Sequence, residues 1–131
     1  MTNLFDKDWM QKFQHEWNKD RELAKSLQDI EFNSTIAYGF PDEKNPRGVI
    51  TVNNGQVVDA GSYNNQALNW DLRAHKKHWH DWLNKEVGKA SLGLAYSTGK
   101  LKFLSGDYKG MIRNPQLVKP FVKSFSVMGR I

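Results

Sequence analysis

Residues 97–125 read STGKLKFLSGDYKGMIRNPQLVKPFVKSF, and the rest of the chain has to be arranged around them. Gly99 breaks whatever precedes it, and Lys100-Leu101-Lys102-Phe103 then alternates basic and apolar residues with the period of a half-buried strand. Ser105-Gly106-Asp107 forms a turn signal, with Asp107 placed to cap a helix starting near Tyr108. Beyond it, Met111, Ile112, Leu117, Val118, Phe121, Val122, Phe125 and Met128 supply more apolar side chain than docking a surface helix requires. Asn114-Pro115 interrupts the run, and Pro115 restarts it from a first-turn position. Pro120 lies inside the second half, where a missing N–H and a bulky ring predict a kink or loosened packing.

Upstream, the chain opens with helical signals. Asp6 is a good cap, and Trp9, Met10, Phe13 and Trp17 recur at helical spacing, a stripe that reads as plain core, with ligand contact by Trp9 and Trp17 as the alternative. A second short helix carries Leu23 and Leu27 and ends near Asp29. From Ile30 the period changes to two: Phe32, Ser34, Ile36, Tyr38 and Phe40 alternate with Glu31, Asn33, Thr35, Ala37 and Gly39. A polar connector with two prolines, residues 41–46, leads to a strand at 49–52. Asn53-Asn54-Gly55 is the clearest hairpin signal, since both residue types accept the positive φ such turns demand, and residues 56–62 return as the next strand. Residues 67–74 read as a fourth strand, with Leu68, Trp70 and Leu72 on one face and Asn69, Asp71 and Arg73 on the other. Trp79, Trp82, Leu83 and Val87 share a helix face that Gly88 should end, and residues 90–97 form another short helix. The fifth strand is residues 100–104.

The string Gly99-Lys100-Leu101-Lys102-Phe103, then Gly106-Asp107, then Met111-Ile112, resembles the C-terminal part of the sterol carrier protein type 2 family. Leu104 and Ser105 stand here as extra residues between strand and turn. The order of elements agrees with that family over nearly the whole chain. The resemblance implies an α+β domain spanning residues 1–131, with a five-stranded, mostly antiparallel sheet covered by helices. It further implies an apolar slot or tunnel under the C-terminal helix that takes lipid-like ligands.

Size and composition are compatible with this. A chain of 131 residues, 39% hydrophobic and 12% aromatic, is enough for one core and not for two. The absence of cysteine removes disulfides and thiolate metal sites and suits a reducing compartment. No apolar run approaches the ~18 residues of a membrane span, Met1-Thr2-Asn3-Leu4 starts no signal peptide, and Gly129-Arg130-Ile131 is not a peroxisomal address. The cytoplasm is the expected location. The net charge of +5 is scattered rather than clustered, which suits a solvated surface with at most transient contact to an anionic membrane.

Signatures of catalysis are missing: no nucleophile elbow, no phosphate-cradling glycine loop and no His-Glu-x-x-His pair. His75, His78 and His80 invite a metal, but His80 points away from a face that the other two could share, and no carboxylate joins them. The aromatics sit at periodic, core-like positions rather than among arginines, which argues against nucleic acid. The expectation is therefore a non-enzyme without metal or cofactor that binds and transfers a sterol, fatty acid, acyl-CoA or similar lipid. Leu101, Phe103, Met111, Ile112, Phe121 and Phe125 are the expected lining, with Trp70 and Trp82 behind them. The alternative is an accessory or dimerisation module, the tail docking on a partner enzyme or a second copy. If the tail is a lid, a chain cut after Arg113 should stay folded and lose its ligand.

Overall fold

In the computed structural model, which describes residues 3–85 and 87–131, Asp6 opens the first helix by accepting the Trp9 N–H at 2.9 Å. That helix, α1 (Lys7–Lys19), turns Trp9, Met10, Phe13 and Trp17 inward. Asp20 ends it and caps α2 (Arg21–Asp29) through the Leu23 N–H at 3.0 Å, so the two helices meet at a single shared residue.

Five strands follow: β1 (Ser34–Gly39), β2 (Gly48–Asn53), β3 (Gln56–Ser62), β4 (Trp70–Arg73) and, after two helices, β5 (Lys102–Ser105). Their order in the sheet is β3-β2-β1-β4-β5. All neighbours are antiparallel except β1 and β4, which run parallel and place Ile36 beside Trp70 and Tyr38 beside Leu72. Between β4 and β5 lie α3 (Lys76–Asn84) and α4 (Lys89–Ser97), and the chain closes with α5 (Tyr108–Ile112) and α6 (Pro115–Met128). The architecture is an open α+β sheet with helices packed on one face.

The β2–β3 hairpin turns at Asn54 and Gly55, both at positive φ. Gly55 is required there twice over, because a Cβ would also meet the Ala24 carbonyl and the Gln28 amide at 2.5 Å each. Helix α1 lies along β3 and closes what would be an open edge. The Asn18 side-chain amide donates to the Val57 carbonyl at 2.9 Å and accepts the Val57 N–H at 2.8 Å, copying a strand partner, while the Trp17 indole donates to Gly55 O at 3.0 Å.

Several expectations shift at their edges: β1 begins only at Ser34, and β5 spans Lys102–Ser105 rather than residues 100–104. Helix α3 stops at Asn84, Val87 is buried outside any helix, and Gly88 serves as the extended N-cap of α4 rather than as a C-terminal stop. Strand β4 starts at Trp70, because Asn69 is drawn to Thr35 instead: its side chain accepts the Thr35 N–H at 2.8 Å and its own N–H donates to Thr35 O at 2.9 Å. Helix α6 continues through Pro120. The hydrogen bond that proline removes would have ended on Gln116, an exposed residue whose carbonyl water can serve.

Candidate ligand site

The inner face of the sheet is set by the parallel β1–β4 pair, which aligns Ile36 with Trp70 and Tyr38 with Leu72. The closest backbone neighbours of α6 are α1, α2, α3, α4 and α5, and its side chains face these strands. Side chains bridge the gap. Phe125 stacks on the Trp79 indole with ring centres 6.0 Å apart and planes 20° apart, and Phe121 meets Phe125 edge-on at 5.2 Å. Trp79 is itself pinned by its indole N–H donating to Gly39 O at 2.9 Å.

A cavity of about 50 Å³ remains between sheet and helices. Its floor is Ile36, Tyr38, Trp70 and Leu72, with Trp17, Leu27 and Phe32 at one side. Its roof is Met111 from α5 together with Leu117, Pro120, Phe121 and Ser124 from α6. Phe32, Ile36, Trp70, Leu117 and Phe121 are only half-buried, so a rim of large apolar side chains reaches solvent. No charged residue lines it. Ligand pockets usually offer ~300–1,000 Å³, so a lipid-sized guest requires the roof to give way. The roof is suited to that, because Met111 is an unbranched, repackable side chain and Phe121 and Leu117 are part-exposed already.

Of the residues singled out in the sequence, Trp70, Met111 and Phe121 border this cavity. Phe103 and Phe125 stand one ring behind it: Phe103 meets Trp70 edge-on at 5.9 Å and Phe121 at 6.0 Å. Leu101 is 1% exposed in the core, Ile112 is half-buried, and Trp82 stacks on His78 on the far side of Phe125; none of these three reaches the cavity. Trp17, Leu27, Phe32, Ile36, Tyr38, Leu72, Leu117, Pro120 and Ser124 border it without having been singled out as site residues. The alternation from Phe32 to Phe40 already put Phe32, Ile36 and Tyr38 on one face. What it could not show is that β4 would come to lie beside β1.

His75 and His78 approach with ring centres 6.0 Å apart, yet no set of three potential metal-ligating side chains gathers among the described residues. His78 Nδ1 is buried without a partner. Burial holds its pKa below the usual histidine value, and the positive charges of Lys100 and Lys77 and the neighbouring His75 add to this.

With this geometry in view, solved structures give the decisive match. Sterol carrier protein 2 superposes over 98% of this chain and 99% of its own, with a TM-score of 0.78 at 15% sequence identity. The chain has the sterol carrier protein 2 fold. A conserved hypothetical protein of Thermus thermophilus with this fold superposes at a TM-score of 0.64 and 18% identity, over 98% of this chain and 91% of that one. A ubiquinone synthesis protein, UbiJ-SCP2, superposes at 0.59 and 12% identity, over 91% and 86% of the two chains. No protein-family profile and no curated protein sequence matches the chain. The three-dimensional match bears out the resemblance read from residues 99–112. No helix among the described residues is long and apolar enough to cross a membrane.

Proposed function

We propose that the protein binds and transfers a hydrophobic small molecule, a sterol, fatty acid, acyl-CoA or similar lipid, in the cavity beneath α6, without catalysis and in the cytoplasm. The observation that carries this reading is a cavity lined almost entirely by apolar side chains, enclosed between the sheet and α6. Binding would come from burying alkyl or ring surface at ~25 cal/mol per Å², which gives loose selectivity among lipids. Displacement of an environment-sensitive fluorophore by several chemically distinct lipids tests it. Saturable competition near 1 μM, about −8 kcal/mol, is expected; no competition by any of them contradicts the carrier role.

A second reading, an accessory or dimerising module for an enzyme of hydrophobic substrates, draws on the likeness to a ubiquinone synthesis protein. Native mass spectrometry separates the two. A monomer retaining a lipid supports the carrier, and a dimer or partner complex without lipid supports the accessory module.

A further inference from the structure

Tyr38 is 2% exposed, at the centre of β1, with its ring held by Phe5 at 5.5 Å, Phe13 at 5.8 Å and Trp79 at 6.2 Å. These aromatics satisfy the ring and offer nothing to the hydroxyl, to which no hydrogen bond of the described residues leads. Burial alone pushes the phenol's pKa up, with no ion or hydrogen-bond partner contributing, so the group keeps its proton at any physiological pH. The only fully enclosed side-chain polar atom without a partner, among the described residues, is His78 Nδ1. The Tyr38 oxygen therefore borders open space, and the open space that Tyr38 lines is the cavity under α6.

The cavity's other hydroxyl, Ser124, already donates to the Phe121 carbonyl at 2.6 Å. Tyr38 is thus the free O–H donor in an otherwise apolar chamber. No lysine, arginine or histidine lines that chamber, so a carboxylate or phosphate drawn inside would lose its hydration without gaining a counter-charge, at a cost of several kcal/mol. A neutral oxygen gives up far less hydration than an ion, and would satisfy a hydroxyl that is otherwise left unpaired.

On the reading that the cavity binds a lipid, we propose that Tyr38 is the specificity-determining group. Its hydroxyl donates a hydrogen bond to a neutral oxygen, of a ketone, quinone, ester or alcohol, that enters the cavity ahead of the apolar body.

The test is competition binding of a methyl ketone, a hydrocarbon and a fatty acid of equal carbon number, on the wild type and Tyr38→Phe. The ketone should bind the wild type about three- to tenfold tighter than the hydrocarbon, the worth of one net hydrogen bond. Tyr38→Phe should erase that preference, bringing ketone affinity down to that of the hydrocarbon in the same variant. The variant removes only an unpaired hydroxyl, so its ligand-free melting temperature should equal or exceed that of the wild type. Equal loss for ketone and hydrocarbon would reduce Tyr38 to a packing residue, and an unchanged preference would place the polar contact elsewhere; either overturns the proposal alone. Tighter wild-type binding of the fatty acid than of the ketone also overturns it while leaving the carrier reading intact. Binding of none of the three contradicts both.

Discussion

Gly106 lies so close against the Trp70 indole that a Cβ at 106 would overlap the six-membered ring. The turn after β5 thereby fixes the indole that forms one corner of the cavity floor, and Phe103 meets the same indole edge-on at 5.9 Å. Gly106 also sits at φ +109°, where an L side chain is strained by ~1–3 kcal/mol. Gly106→Ala should therefore destabilise the protein and move Trp70, weakening lipid competition. Gly99→Ala is the control, since φ there is +80° with nothing near a new Cβ. It carries the backbone strain alone and should leave lipid affinity within about twofold of the wild type. Equal lipid affinity in both variants would show that Trp70 does not shape the cavity.

Arg73 and Asp71 face away from the cavity and are buried together, Nε to Oδ1 at 2.6 Å and Nη2 to Oδ2 at 3.1 Å. The guanidinium also donates to the Phe40 and Glu43 carbonyls at 3.1 and 2.7 Å, clamping the 41–46 connector over the outer face of β1 and β4. Removing one member of such a pair leaves a buried charge alone, so Arg73→Ala should cost about 3–5 kcal/mol in chemical denaturation. Arg73→Lys should rescue little, because an ammonium cannot reproduce the fork. A loss under about 1 kcal/mol for either would mean that the connector is not held by this residue.

Cutting the chain after Arg113 should unfold it, contrary to the lid expected from the sequence. Phe125, Val127 and Met128 are 1%, 0% and 1% exposed and belong to the main core cluster with Trp79 and Phe13. Losing these three alone removes ~1.5–3 kcal/mol per large side chain from a total of about 5–15. The exposed Arg130 guanidinium additionally reaches Asp20 at 2.8 Å, tying the end of α6 to the α1–α2 corner. Circular dichroism of residues 1–113 should show a disordered chain; a cooperative melt would restore the lid for the whole tail.

The two halves of α6 explain why the sequence misled there. Leu117, Pro120, Phe121 and Ser124 meet the cavity, whereas Phe125, Val127 and Met128 meet the core, and an apolar side chain looks the same in a sequence whichever it faces. The strands, both N-terminal helices and the Asp107 cap, which accepts the Gly110 N–H at 3.0 Å, were legible because each rests on local periodicity or turn chemistry. Asp71 and Arg73 were legible as the face opposite Leu72 but not as buried, since only the folded connector covers them. The cavity floor depends on the parallel β1–β4 pairing, a long-range choice that no stretch of residues announces.

His78 makes stability depend on pH in a separate window. Its folded pKa lies below the unfolded value, so the unfolded chain takes up a proton first as pH falls. Stability should be full above about pH 6.5 and decline as pH drops through the depressed folded value. The Asp6, Asp20 and Glu43 carboxyls are held below the usual carboxylate range and lose their contribution only at more acid pH. Thermal melts from about pH 8 to about pH 5 on the wild type and His78→Gln check this: the variant should have the flatter profile. Parallel profiles would assign the pH response to other groups.

The central claim, that a hydrophobic guest occupies the space between the sheet and α6, is tested most directly by intermolecular nuclear Overhauser effects between a bound lipid and the protein's methyl groups. The account predicts contacts to Leu27, Ile36, Leu72, Met111 and Leu117, which border the cavity from above and below. Contacts confined to Val58, Leu94 and Leu104, the exposed apolar side chains at 57%, 64% and 58%, would contradict it and place the lipid on the surface.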